Sequence, residues 1–136
     1  MKLWAIIGLL VVSVSSIFGH CQVPCGIFDD EARIQEIHEH IHTIEKAMVQ
    51  IEAMGDKNLN QTVRWVNTKE THANDLMTIL HDYFLAQRLK PLKKNVTKKD
   101  QLRYQEQLQL IHLMTIASRK AKQTTDTNYT KTLTRL

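Results

Sequence analysis

The chain has 136 residues, with 18 basic against 14 acidic side chains and a formal net charge of +4. That length is one small domain, and the mildly basic balance favours a small anionic substrate over a cationic one. There is no arginine-rich stripe with interleaved aromatic residues, which excludes nucleic acid as the partner.

The first 19 residues read as a signal peptide. Met1-Lys2 is a short basic start, Leu3–Val14 is apolar, and Ser15–Gly19 is a cleavage region with Gly19 in the last position. The apolar run from Leu3 to Phe18 is short for a membrane span, which needs about 20 residues. The expectation is therefore cleavage, rather than an uncleaved anchor, and no stable membrane association afterwards. The mature chain would begin at His20 and carry 17 basic residues against 14 acidic ones, a net charge of +3. Its place would be outside the cytoplasm, in a periplasm or secreted.

Residues 20–28 follow, reading His20-Cys21-Gln22-Val23-Pro24-Cys25-Gly26-Ile27-Phe28. They hold the only two cysteines. A cut after Gly19 would leave an α-amine, an imidazole, a backbone amide and two thiols within a few residues. Thiolates with amine or amide nitrogens suit Ni(II) or Cu(II) in square-planar geometry, whereas structural zinc prefers a tetrahedral cage of four side chains. Pro24 and Gly26 favour a backbone that turns back on itself. The alternative is a small disulfide loop, because an exported chain meets an oxidising environment.

The combination of His-Cys, Pro-Cys-Gly and a cleavage site directly before the histidine resembles the nickel hook of the nickel superoxide dismutases. Weaker similarity runs into the rest of the chain at Ala32-Arg33-Ile34 and Asp82-Tyr83-Phe84. The resemblance implies one nickel per subunit, bound by Cys21 Sγ, Cys25 Sγ, the Cys21 backbone amide and the His20 α-amine. The His20 imidazole would be the axial ligand of the oxidised state. It further implies a helical bundle behind the hook, a homohexamer, and superoxide as substrate. Thiolates and an ionised amide donate strongly and bring the Ni(II)/Ni(III) couple into range for superoxide disproportionation. Phe28 departs from the family, which usually has a tyrosine there; it would keep the ring as a gate and lose the hydroxyl. Tyr83 is the candidate to compensate, against the plainer role of a core-edge aromatic. In the family a glutamate and an arginine orient the metal-bound imidazole. Alignment places Gln35 and His72 at those positions, so both differ from the family pattern.

Downstream the chain reads as helices. Asp29-Asp30 is an N-cap signal, with Glu31 adding acid to the first turn. Ile34, Ile37, Ile41, Ile44, Met48 and Ile51 then recur at steps of three and four, until Gly55-Asp56 ends the helix. A second helix is expected from about Asn60 to Leu89. Val63, Val66, Ala73, Met77, Leu80 and Phe84 form its stripe, widened by Leu76, Ile79 and Tyr83. Glu70 falls inside that stripe and needs a partner or an assembly interface. After Pro91 and a basic loop, a third helix is expected from about Lys99 to Lys122. Leu110, Met114, Ala117 and Ala121 lie on one face, with Tyr104, Leu108 and Ile111 on a second. Tyr129, Leu133 and Leu136 keep helical spacing in a short or truncated fourth. The fold expected for residues 29–136 is an all-α antiparallel bundle, with stripes wide enough to leave apolar surface for other subunits.

Among the remaining features, His38 and His42 lie one turn apart and could chelate a metal, but no third ligand is nearby, so a solvated face is the better reading. Asn60, Asn95 and Asn128 head N-glycosylation sequons, relevant only in a eukaryote. The functional expectation is a nickel-dependent superoxide dismutase with His20, Cys21, Cys25 and Phe28 as its site. Two rival classes are a non-catalytic exported nickel- or copper-binding protein and a helical interaction module with a disulfide loop.

Overall fold

The computed structural model describes Pro24 and residues 26–136. The expected signal peptide and the proposed ligands His20, Cys21 and Cys25 lie outside the described residues. Four helices make up the described chain: α1 (Asp30–Met54), α2 (Leu59–Thr78), α3 (Lys98–Gln123) and α4 (Asn128–Arg135). Ile79–Arg88 extends α2 without a break as a π-helix. No strand occurs among the described residues.

Each start and stop has a local cause. Asp29 caps α1 by accepting from the Ala32 amide at 3.1 Å, and Gly55, at φ +51°, closes it with its amide on the Ile51 carbonyl. Asn58 caps α2 by accepting from the Gln61 amide, so that helix begins slightly earlier than the apolar stripe predicts. Thr97 and Asp100 form a reciprocal capping box at the head of α3.

Pairs of side chains give the directions of packing. Asp30 meets Arg88 and His40 meets His72, so α1 and the α2–π rod run antiparallel. His81 meets Thr115 while Lys69 meets Ala121, so α3 is antiparallel to that rod in turn. The core lies where the rods overlap. Ile37, Ile41, Ile44 and Met48 come from α1, and Ala73, Leu76, Ile79 and Leu80 from α2 and its extension. Met114, Ala117 and Ala121 of α3 and Leu133 of α4 complete it. Full burial of each large apolar side chain favours folding by about 1.5–3 kcal/mol. The fourth helix is therefore short but seated, through Leu133 and Thr130.

The stripes are not buried along their whole length. Val63 and Val66, expected to lead the α2 stripe, are half-exposed, whereas Leu76, Ile79 and Tyr83, expected only to widen it, are buried. On α3 burial begins at Met114, and Leu102, Leu110 and Leu113 remain exposed. The first turns of α2 do lie against the end of α1, where the Thr62 hydroxyl donates to the Gly55 carbonyl and Lys46 lies over the Trp65 ring, but Val63 and Val66 are not the residues that this contact covers.

One charged side chain belongs to the interior. Lys69 is 4% exposed. Its Nζ donates to the carbonyls of Ala121 at 3.0 Å, Lys122, and Thr124 at 3.3 Å. These are carbonyls at the α3 C-terminus that the helix itself cannot satisfy, and a cation there also opposes the helix dipole. Burial pushes the Lys69 ammonium below its ordinary pKa, and Glu70 partly restores it. Glu70 thereby has its partners within the chain, at 3.6 Å from Lys69 and 3.4 Å from Lys122; it does not need an interface to explain it.

Candidate metal centre

The hook enters the described structure at Pro24. The Ile27 amide donates to the Pro24 carbonyl at 2.7 Å, closing a four-residue turn with Gly26 in its third position. Gly26 has φ +81°, the value a type II turn requires there and one that L side chains resist. A Cβ at Gly26 would meet nothing within 4 Å, so backbone conformation, not space, calls for glycine.

Phe28 follows and is held on two sides. Its ring meets Tyr83 edge-on at 5.8 Å between centroids, and the Arg88 guanidinium lies 4.7 Å over its face. Such aromatic and cation–π contacts fix a ring's orientation as well as burying it. Beneath them sits Asp30, in the first turn of α1. Its carboxylate accepts from Arg88 Nε at 2.8 Å, Arg88 Nη2 at 2.7 Å and the Tyr83 hydroxyl at 2.7 Å. The expected compensating tyrosine therefore stands beside Phe28, but its hydroxyl is engaged with Asp30. Burial and that donated hydrogen bond raise the Tyr83 pKa.

The π-helix makes this cluster possible. At 100° per residue, positions five apart on an α-helix point about 140° apart. The i→i+5 repeat of Ile79–Arg88 brings Tyr83 and Arg88 to one face, where both reach Asp30. Helical periodicity alone gives no sign of this widening, which often accompanies function.

Arg88, and then Tyr83, hold the Asp30 carboxyl below its usual range. The sign follows: a carboxylate with a depressed folded pKa adds stability above its unfolded value, near 4, and loses it as pH falls through the folded value. The expected result is that Asp30→Asn melts a few degrees below wild type at pH 6, and that the gap narrows progressively as the pH is taken below about 4. Scanning calorimetry at a series of pH values below 6 checks it. The effect is kept small by the half-exposed ion pair.

Next to this cluster, a groove of about 290 Å³ runs between α1 and the α2–π rod, and Pro24 forms part of its wall. Glu36 and His40 line it from α1, and Asp75, Asp82 and Tyr83 from the opposite rod. Arg33 also faces it, paired with Glu36 at 2.6 Å. The lining is locally acidic, so the chain's net positive charge is not gathered there. Gln35, aligned with the family's glutamate, is exposed and bonds Glu31; the residue of α1 that reaches the groove is Glu36. His72, aligned with the arginine, bonds His40 with 2.8 Å between their Nδ1 atoms. The Nε2 of His40 is buried and has no hydrogen-bond partner among the described residues.

His38 and His42 are exposed, in keeping with a solvated face. No group of three or more His, Cys, Asp or Glu side chains among the described residues could hold a metal, and no helix among them is long and apolar enough to cross a membrane. Any metal held by this chain thus depends on donors outside the described residues. The side chains there, the two thiols of Cys21 and Cys25 with the imidazole of His20, fit nickel by their chemistry.

Comparison with known protein families finds a match to the model of the nickel-containing superoxide dismutases, over residues 15–136. No curated protein and no solved structure matches the chain.

Proposed function

The chain belongs to the nickel-containing superoxide dismutase family and is a nickel-dependent superoxide dismutase, and from that premise we propose that residues 20–28 form its metal centre. Bound nickel supplies the one-electron couple by which two superoxide anions and two protons become dioxygen and hydrogen peroxide. The thiolates of Cys21 and Cys25, the Cys21 amide, and the α-amine and imidazole of His20 hold it. The observation that carries this reading is the Pro24–Ile27 turn, docked through Phe28 onto the Asp30–Tyr83–Arg88 cluster beside an open groove. Such a turn holds the chain just after the second cysteine at one place on the bundle. Phe28, seated on Tyr83 and Arg88 next to that place, would be its gate.

Residues 1–19 are removed on export, and the mature enzyme works in a periplasm or outside the cell. The subunits assemble as homo-oligomers, hexamers by the family resemblance. The half-exposed Val63, Val66, Leu102, Leu110 and Leu113 leave apolar surface that such contacts could bury. Intact mass and metal analysis of the mature protein tests the reading in one experiment. A mass beginning at His20 with reduced thiols and one nickel per subunit is expected. A mass two hydrogens lower, with no nickel, would mean that the cysteines form a disulfide and the hook does not exist.

A further inference from the structure

We propose that His40 and His72 form a proton-sharing pair that supplies protons to the groove beside Pro24, with His40 Nε2 as donor and His72 as the partner that sets its tautomer. The proposal rests on the hook reading above for the identity of what receives the proton. The pair itself rests on geometry.

His40 projects from α1 and His72 from α2. Their Nδ1 atoms are 2.8 Å apart, with ring centroids at 5.0 Å and planes at 60°. Two ring nitrogens at that distance must share one proton, because each neutral imidazole has one donor and one acceptor. When His40 is charged, its Nδ1–H donates to His72 Nδ1 and its Nε2–H is free to leave. Loss of that Nε2 proton keeps the Nδ1–H bond intact, so release costs no internal hydrogen bond. His72 thus fixes which nitrogen of His40 gives up its proton.

The second observation is His40 Nε2 itself. It is buried and has no hydrogen-bond partner among the described residues, and His40 lines the groove that also contains Pro24. A buried ring nitrogen without a partner costs free energy, and a small opening of the groove wall that admits a water or oxygen ligand to Nε2 would remove that cost. The surrounding charges are mixed. Burial lowers the His40 pKa most, and His72 lowers it further, while Asp75, Glu36 and Glu39 oppose them. Arg33 and Asp82 also face the groove. The lowered value favours the neutral ring near neutral pH and makes the charged form, once the ring picks up a proton, a readier donor.

The step balances with the established reaction. Superoxide that gains one electron from the redox cycle and two protons becomes hydrogen peroxide. One of those protons leaves His40 Nε2, its N–H bond breaking as an O–H bond forms, and solvent recharges the ring through the groove. His40 and His72 replace no proposed metal ligand, so nickel binding should not depend on them.

The test uses the nickel-loaded enzyme. In histidine labelled with nitrogen-15 and in the reduced state, the two rings are expected to show coupling across the Nδ1–Nδ1 hydrogen bond and to titrate together. His40→Gln should keep its circular dichroism and one nickel per subunit. Its turnover should fall by about tenfold or more at neutral pH, with a flattened pH profile, and added imidazole should restore part of the rate. His72→Gln should keep nickel and move the titration of His40. Two rings that titrate independently without coupling would overturn the pair. A nickel-replete His40→Gln with the rate and pH profile of wild type would overturn its role in proton supply. Absence of nickel from the wild-type protein would instead break the hook reading, and the coupling measurement would still decide whether the pair exists.

Discussion

Cys21→Ser and Cys25→Ser are each expected to reduce superoxide turnover to background while leaving the bundle folded. The loss follows from donor chemistry. A thiolate is a strong, soft donor and stabilises the higher oxidation state; a serine hydroxyl stays protonated near neutral pH and donates weakly. The intact fold follows from where the core sits. Its first buried side chain is Ile37, and the capping of α1 begins at Asp29, both downstream of the hook. Helical circular dichroism and thermal midpoint should therefore match wild type while nickel content falls. Substantial turnover in either variant would remove the cysteines from the site.

The second large effect concerns the chain's start. The α-amine of His20 serves as a donor only if His20 is the first residue, and the imidazole reaches the same metal from that residue. A single extra residue, Gly19, converts the amine to an amide and places a tail across the metal. A chain beginning at His20 is expected to bind one nickel and turn over superoxide. One beginning at Gly19 should fold equally well and lose more than the roughly 10–100-fold that removal of an outer hydrogen-bond partner costs a metal site. Circular dichroism, nickel analysis and a superoxide-decay assay on both chains make the comparison. Equal specific activity would show that the amine is not a ligand.

The parts of this account that were legible in the sequence are those governed by local rules. The steps of three and four from Ile37 to Met48 give α1 because one face of a helix meets the core. Asp29 and Gly55 mark its ends because caps act within one turn. What was not legible depends on neighbours. Val63 and Val66 share the apolar character of the buried α2 residues, yet in their turn it is Thr62 and Trp65 that contact the end of α1, so the valines stay half-exposed. Lys69 counts as polar in any pattern, but its stem buries and its ammonium finds the end of α3, 52 residues away in sequence.

The surroundings of the hook show the same division. The Cys and His residues announce a metal through their chemistry, but the meeting of Asp30, Tyr83 and Arg88 depends on a π-helix, whose hydrogen-bond register leaves no trace in apolar spacing. Among the three closely spaced histidines of α1, His38 and His42 drew attention as a one-turn pair. The one that packs against α2 is His40, on the opposite side of the helix, and its partner His72 lies 32 residues on.

X-ray absorption at the nickel edge of the mature, metal-loaded protein tests the central claim most directly, because it reads the donor atoms themselves. The account predicts two sulfur donors with nitrogen completing a planar set in the reduced enzyme, and one added nitrogen on oxidation. A nickel shell made only of nitrogen and oxygen would contradict it.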